Sequence, residues 1–287
     1  MSGRMRASKE IRLSADLTLN CEFAGSGPSG VIFIPGWAMS SAVFERQLDH
    51  FAASTEFTAI AYDPRGQGRS SKPLDGHHYQ QRGRDLAGLI AALGLERIVL
   101  AGWSYGVLDM LAYVREFGTG RIRAGVVIDG APRGLGADPA KEWVWESPEQ
   151  HIKLNSVLRT LESRAAVNRG LAEWCLESSE EEDLRWLEAI IGQTPDTIAA
   201  LINEAAIYSN YEKELRLLCT ERPVLMVCRE EWREVVTHWT DANAASAPCD
   251  FFGKHMMFWD RAPQFNARLS RFLAELTEPH VRKGTAR

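Results

Sequence analysis

No stretch of this 287-residue sequence reaches the roughly 18 consecutive apolar residues that a membrane-crossing helix requires. Positive charge is not in excess either. The net charge of −5 and a pI near 5.9 leave no basic footprint for nucleic acid or an anionic lipid surface, so the expected partner is a small molecule. Residues 1–14 carry Arg4, Arg6, Lys9 and Arg12 but no apolar core of a secretion signal, and the expected location is cytoplasmic. The five cysteines, Cys21, Cys175, Cys219, Cys228 and Cys249, are odd in number and form no C-x-x-C pair. They read as reduced, mostly buried thiols, neither a disulfide framework nor a metal site. His77-His78 lies in a polar loop without clustered carboxylates, so no metal centre is expected there. Gly25-Ser26-Gly27-Pro28-Ser29-Gly30 spells a dinucleotide fingerprint, yet it precedes a strand instead of joining a strand to a helix. No phosphate would meet a helix N-terminus, so the segment reads as a hairpin turn and no cofactor is expected. Internal repeats and low-complexity tracts are lacking, and nothing in the composition sets an oligomeric state.

What the chain has is alternation. Short β-branched or apolar runs at Val31–Ile34, Phe57–Tyr62, Ile98–Ala101 and Ala124–Ile128 alternate with helical patterns at Gln81–Leu93 and Val107–Arg115. This predicts an α/β fold, a mainly parallel sheet flanked by helices on both faces. After Gly130-Ala131-Pro132, from about Glu142 to Leu218, only helix signals are read. Ser147-Pro148 opens Glu149–Arg164; Thr194-Pro195, a cap followed by proline at the first helical position, opens Asp196–Ile207. Strand character returns at Pro223–Cys228 and near Cys249–Phe252, and a last helix covers Pro263–Leu276. The expected organisation is a core over 1–132, an inserted helical cap over 133–218 and the rest of the core over 219–287. The cap carries Trp143, Trp145, Trp174, Trp186, Tyr208 and Tyr211. Most of these aromatics are expected in the cap's own core, with Trp143 and Trp186 as candidate pocket walls.

Between the run Ile98–Ala101 and the helix that follows stands Gly102-Trp103-Ser104-Tyr105-Gly106. A serine at the apex of so tight a strand-to-helix turn needs glycine two residues to either side, where a larger side chain would strike backbone. The turn holds Oγ clear of the sheet at a helix N-terminus. Ser104 is the candidate nucleophile.

With these residues the chain resembles the α/β-hydrolase superfamily over nearly everything outside the cap. The resemblance implies that Ile34-Pro35-Gly36-Trp37 builds half of an oxyanion hole, with the backbone N–H of Trp37 as one donor and that of Tyr105 as the other. Asp63-Pro64-Arg65-Gly66-Gln67-Gly68-Arg69-Ser70 matches the structural loop after the fourth strand. His255, in Gly253-Lys254-His255-Met256-Met257-Phe258-Trp259-Asp260, is placed as the family's general base, without which a serine hydroxyl is a poor nucleophile. The acid departs from the commonest pattern. The turn that usually carries it reads Arg229-Glu230-Glu231-Trp232, with tryptophan where aspartate should fall. Asp129, at the end of Val126-Val127-Ile128, is the expected substitute because some branches draw their acid from that strand end; Glu231 and Glu230 are its rivals.

The implied activity is a cofactor-free serine hydrolase of a small apolar carboxylic ester or lactone. Two other readings stand beside it. The same strand-end acid and Pro35-Gly36-Trp37 resemble cofactor-independent dioxygenases of this fold, although Tyr105 stands where those carry histidine. A ligand-binding receptor on a hydrolase scaffold is the non-enzymatic alternative.

Overall fold

The computed structural model describes residues 6–150, 152 and 164–277. Its centre is an eight-stranded sheet built from β1 (Arg6–Arg12), β2 (Thr18–Gly25), β3 (Ser29–Ile34), β4 (Phe57–Tyr62), β5 (Ile98–Trp103), β6 (Ile122–Ile128), β9 (Val224–Cys228) and β10 (Cys249–Phe251). The spatial order is β1-β2-β4-β3-β5-β6-β9-β10. Pairing is antiparallel for β1 with β2 and β2 with β4, and parallel for every other neighbouring pair. Every residue of β5 and β9 is buried, the continuous apolar pattern of a strand covered on both faces. The expected mainly parallel sheet is thus present. The hairpin of β1 and β2 adds to it at an edge, where β1 is almost wholly exposed and rich in charge, a composition that discourages edge-to-edge association.

Helices cover both faces. Leu86 and Leu89 of α2 (Tyr79–Ala92), Leu108 and Leu111 of α3 (Gly106–Phe117) and Leu215 and Leu218 of α7 (Glu212–Glu221) join one buried cluster. Leu48 and Phe51 of α1 (Glu45–Phe51) and Phe265, Leu269 and Phe272 of α10 (Ala262–Thr277) join the other. Each such side chain contributes roughly 1.5–3 kcal/mol by leaving water. Among the described residues no helix is long and apolar enough to cross a membrane.

The turn at 25–30 is not a hairpin. β2 does not pair with β3, because β4 lies between them. The connection passes over the start of β4 so closely that a Cβ on Gly27 would overlap the backbone of Glu56 and Phe57, and that crossing accounts for its glycine.

Between β6 and β9 lie α4 (Arg164–Cys175), α5 (Glu181–Ile191) and α6 (Asp196–Ile207), as the helical signals predict, followed by α7. The segment is not purely helical. β7 (Arg133–Leu135) and β8 (Val144–Glu146) form a small parallel pair, where β-branched Val144 and its aromatic neighbours favour extended backbone. The expected helix Glu149–Arg164 falls largely outside the described residues. At α6 the start shifts by one residue: Pro195 has extended backbone (φ −55°, ψ 143°) and is itself the cap, with no side-chain cap bond. Its carbonyl accepts the first helical bond from Ala199 N at 2.9 Å, while the Thr194 hydroxyl is buried without a hydrogen-bond partner. Two further helices are α8 (Arg233–Asn243), between β9 and β10, and the short α9 (Met257–Asp260), between β10 and α10.

Candidate active site

Three non-glycine residues among those described have positive φ, and all three follow the C-terminal ends of parallel strands: Ala38 (56°), Ser104 (55°) and Asp129 (40°). Left-handed backbone costs a substituted residue of order 1–3 kcal/mol and persists where the surroundings enforce it. At Ser104 the surroundings are visible. Its N–H donates to Ile128 O at 2.9 Å. A Cβ on Gly102 would lie 2.7 Å from Gly106 O, one on Gly106 would overlap the Ile34 carbonyl, and one on Gly36 would lie 2.7 Å from Ser104 Cβ. The glycine spacing read from the sequence is therefore set by backbone contact on both sides, and Gly36 brings the end of β3 against the serine.

Asp129 and His255 meet across the sheet end. Asp129 is fully buried, and its Oδ2 lies 2.5 Å from His255 Nδ1. Its N–H donates to Val227 O at 2.8 Å, tying the end of β6 to β9. The His255 loop is fixed in turn by Trp103, whose indole donates to the His255 carbonyl at 2.9 Å. Burial by itself would raise the Asp129 pKa, but the Arg229 guanidinium, the His255 bond and the Arg229 N–H outweigh it and hold the carboxyl below its usual range. Burial is also the largest influence on His255. Together with Arg229 it lowers the imidazole's pKa against the raising effect of Asp129. The two rival acids are elsewhere: Glu230 forms a surface pair with Arg233 at 2.5 Å, and the Glu231 side chain is 81% exposed.

Trp37 and Tyr105 flank Ser104 in the same cavity. The loop carrying Trp37 is held from below by Gln67, whose Nε2 donates to Gly36 O at 3.0 Å and Met39 O at 2.7 Å. The 63–70 loop is structural, as expected: buried Asp63 accepts from Ser41 N at 2.6 Å and Arg69 N at 2.7 Å. From above, the Trp37 indole donates to Ala199 O of α6 at 2.7 Å.

The cavity above Ser104 and His255 has a volume of about 350 Å³. Its aromatic walls are Trp37, Trp103, Tyr105, Trp145 and Trp174. Trp174 lies against His255 at 4.3 Å between ring centroids, and Trp145 packs edge-on against Tyr105 at 5.1 Å. The two tryptophans nominated from the sequence are elsewhere. Trp143 meets Trp239 at 5.2 Å, and Trp186 stacks on Trp259 at 4.1 Å. Membership of the cap does not say which side of it a ring faces. One acidic residue also lines the cavity. Glu146 of β8 has its pKa pushed up to about 6 by burial. Neither Glu146 nor Arg229 is singled out by sequence reasoning; the signal available for Arg229 is its place directly beyond β9, beside a strand-end acid. Among the described residues no group of three or more histidine, cysteine or acidic side chains could hold a metal ion.

The strand-turn-helix elbow and the strand order are those of the α/β hydrolases. The chain belongs to the alpha/beta hydrolase fold family, whose model matches residues 31–179. A non-heme haloperoxidase of Rhodococcus erythropolis is 36% identical over 108 residues, which is 38% of this chain and 39% of that protein. The chain spans less than half the length of the curated relatives it matches. Among solved structures, a bromoperoxidase from Bacillus anthracis superposes with a TM-score of 0.83 at 20% identity, covering 93% of this chain and 100% of that one. An esterase from Exiguobacterium antarcticum gives 0.80 at 19% identity over 90% of this chain and 96% of that one.

Proposed function

We propose that the protein is a cofactor-free serine hydrolase of a small apolar carboxylic ester or lactone. Ser104 attacks the carbonyl, His255 takes its proton and returns it to the leaving group, and Asp129 orients His255. The N–H groups of Trp37 and Tyr105 receive the oxyanion, where fixed donors are worth several kcal/mol of barrier. The observation that carries this reading is Ser104 at a left-handed apex opening on the same cavity as His255, whose Nδ1 lies 2.5 Å from buried Asp129. The substrate class follows from the cavity. Its walls are mainly aromatic and aliphatic, and the carboxyl of Glu146 disfavours an anionic substrate there. The esterase and haloperoxidases to which the chain is similar support hydrolysis in general and leave the substrate open.

The test is covalent labelling. A fluorophosphonate is expected to modify Ser104 alone and stoichiometrically, read by intact mass and peptide mapping; absence of labelling in folded protein rejects the reading. Ester turnover without oxygen separates hydrolysis from the dioxygenase alternative, since loss of activity on removing oxygen alone would favour the latter.

Trp145→Ala removes a cavity wall, and a buried aromatic ring contributes a few kcal/mol. It is therefore expected to raise KM for aromatic esters about tenfold or more, with a smaller effect on the rate of fluorophosphonate labelling. Trp186→Ala, whose ring stacks on Trp259 and does not line the cavity, should leave selectivity across a graded ester panel unchanged. Equal responses from the two folded variants would remove Trp145 from the substrate site.

A further inference from the structure

Asp129 has a second partner that the hydrolytic scheme does not use. Arg229, the first residue beyond β9, donates its backbone N–H to Asp129 Oδ1 at 2.8 Å and a guanidinium N–H to Oδ2 at 2.6 Å. Oδ2 is the oxygen that faces His255, and the same guanidinium nitrogen lies 3.5 Å from His255 Nδ1. The guanidinium packs over the ring of Trp232 at 3.8 Å and the ring of Trp174 at 5.0 Å, one from the turn after β9 and the other from cap helix α4. Its side chain is 11% exposed.

We propose that Arg229 is a positioning residue that keeps Asp129 ionised inside the protein and sets the pH below which His255 ceases to act as a base. The proposal rests on Ser104, His255 and Asp129 acting as the triad. A carboxylate removed from water needs a compensating charge, and a neutral imidazole supplies only a hydrogen bond. Arg229 supplies the charge. Its cation beside Nδ1 also disfavours the imidazolium before substrate arrives. Ser104 can be activated only while Asp129 is ionised and His255 neutral, and Arg229 favours both conditions. Removing the cation raises both pKa values, so the two effects move the acid limb of activity in one direction, upward.

The other ionisable groups around the pair are identifiable. The thiols of Cys175 on α4 and Cys228 on β9 are pushed up by burial and stay neutral near pH 7. Glu173, Glu231 and Lys254 share with Arg229 and His255 a second, outer pocket bordered by Trp174, and Glu231 lies 3.5 Å from Arg229 Nε. Glu146, in the main cavity, has a pKa of about 6 and titrates in the same range as the expected limb. It is removed from the experiment by working in a Glu146→Gln background.

In that background kcat/KM for a neutral ester and the rate of fluorophosphonate labelling are measured against pH for Arg229, Arg229→Lys, Arg229→Gln and Arg229→Met, with folding checked by circular dichroism. The acid limb should rise by about one pH unit or more in the Gln and Met variants and stay near its original place with Lys. A limb that does not move in the Gln and Met variants, however slow they are, reduces Arg229 to a packing residue and overturns the proposal. Failure of the triad reading would look different: the parent protein would not be labelled at Ser104. An imidazole ¹⁵N titration of the unaltered chain gives a readout that needs no variant at Arg229. The His255 midpoint is expected below the ordinary histidine value of about 6.5, and a midpoint above it would count against Arg229.

Discussion

Asp129→Asn is expected to leave the fold intact and lower kcat by about 10³- to 10⁴-fold, the scale seen when the aspartate of a serine triad loses its charge. The amide offers a single acceptor oxygen where the carboxylate accepts from the Arg229 N–H, the Arg229 guanidinium and His255. Its NH₂ would face a cation or a ring N–H. His255 would then lose both its orientation and the negative charge that balances the imidazolium as Ser104 attacks. Glu230→Gln and Glu231→Gln should keep kcat near the parent value, since one carboxylate is paired with Arg233 at the surface and the other is 81% exposed. The measurement is kcat for the three variants at one pH on a neutral ester, with circular dichroism as the folding check. A large loss at Glu231 combined with a near-normal Asp129→Asn would move the acid to the turn after β9.

The largest expected effect on stability lies one layer below the site. Arg82 of α2 and Asp109 of α3 form a two-pronged pair at 2.6 and 2.7 Å, and their side chains are 2% and 0% exposed. Burial raises the Asp109 pKa, and Arg82 opposes it. Arg82→Met would strand a carboxylate among apolar side chains, at a cost of about 3–5 kcal/mol; replacing both partners, as in Arg82→Met with Asp109→Leu, should recover most of that loss. Urea denaturation of the two single variants and the double variant measures this cycle. If Arg82→Met cost less than about 1 kcal/mol, the scale of an exposed pair, the site would be admitting water. Arg82 also approaches Gln67 Oε1 at 3.4 Å, and Gln67 holds the loop that carries Trp37. The pair thus supports the loop that carries Trp37 as well as the helix layer.

The parts of this architecture that were legible in the sequence are those fixed by short-range geometry. Gly102 and Gly106 flank Ser104 because backbone oxygens stand where their side chains would be, and that constraint is written within five residues. Val31–Ile34 and Pro223–Cys228 read as buried strands because continuous apolar runs have few other stable fates. β1 carries no apolar run because its edge position makes it polar, and the turn at 25–30 is not a hairpin because a neighbouring strand inserts from elsewhere in the chain. Within the site, Ser104, His255 and Asp129 were each marked by position at a strand end. Arg229 was not, since its meaning depends on a carboxylate 100 residues away in the sequence. The same holds for the tryptophans: helical spacing places a ring on the cap, whereas whether it faces the cavity is decided by how the cap sits on the sheet.

How the cap sits is itself tied to the proposed chemistry. The single bond from the Trp37 indole to Ala199 O joins the residue proposed to donate to the oxyanion directly to the backbone of α6. Such a tether makes the cap a poor candidate for free exchange among relatives. A borrowed cap with no carbonyl at that spot would release the indole, and the Trp37 peptide would lose one of the restraints on its direction. Divergence of substrate preference in this chain is therefore expected to proceed by changing rings on the inner cap surface, such as Trp145, with the register of α6 against the end of β3 left in place.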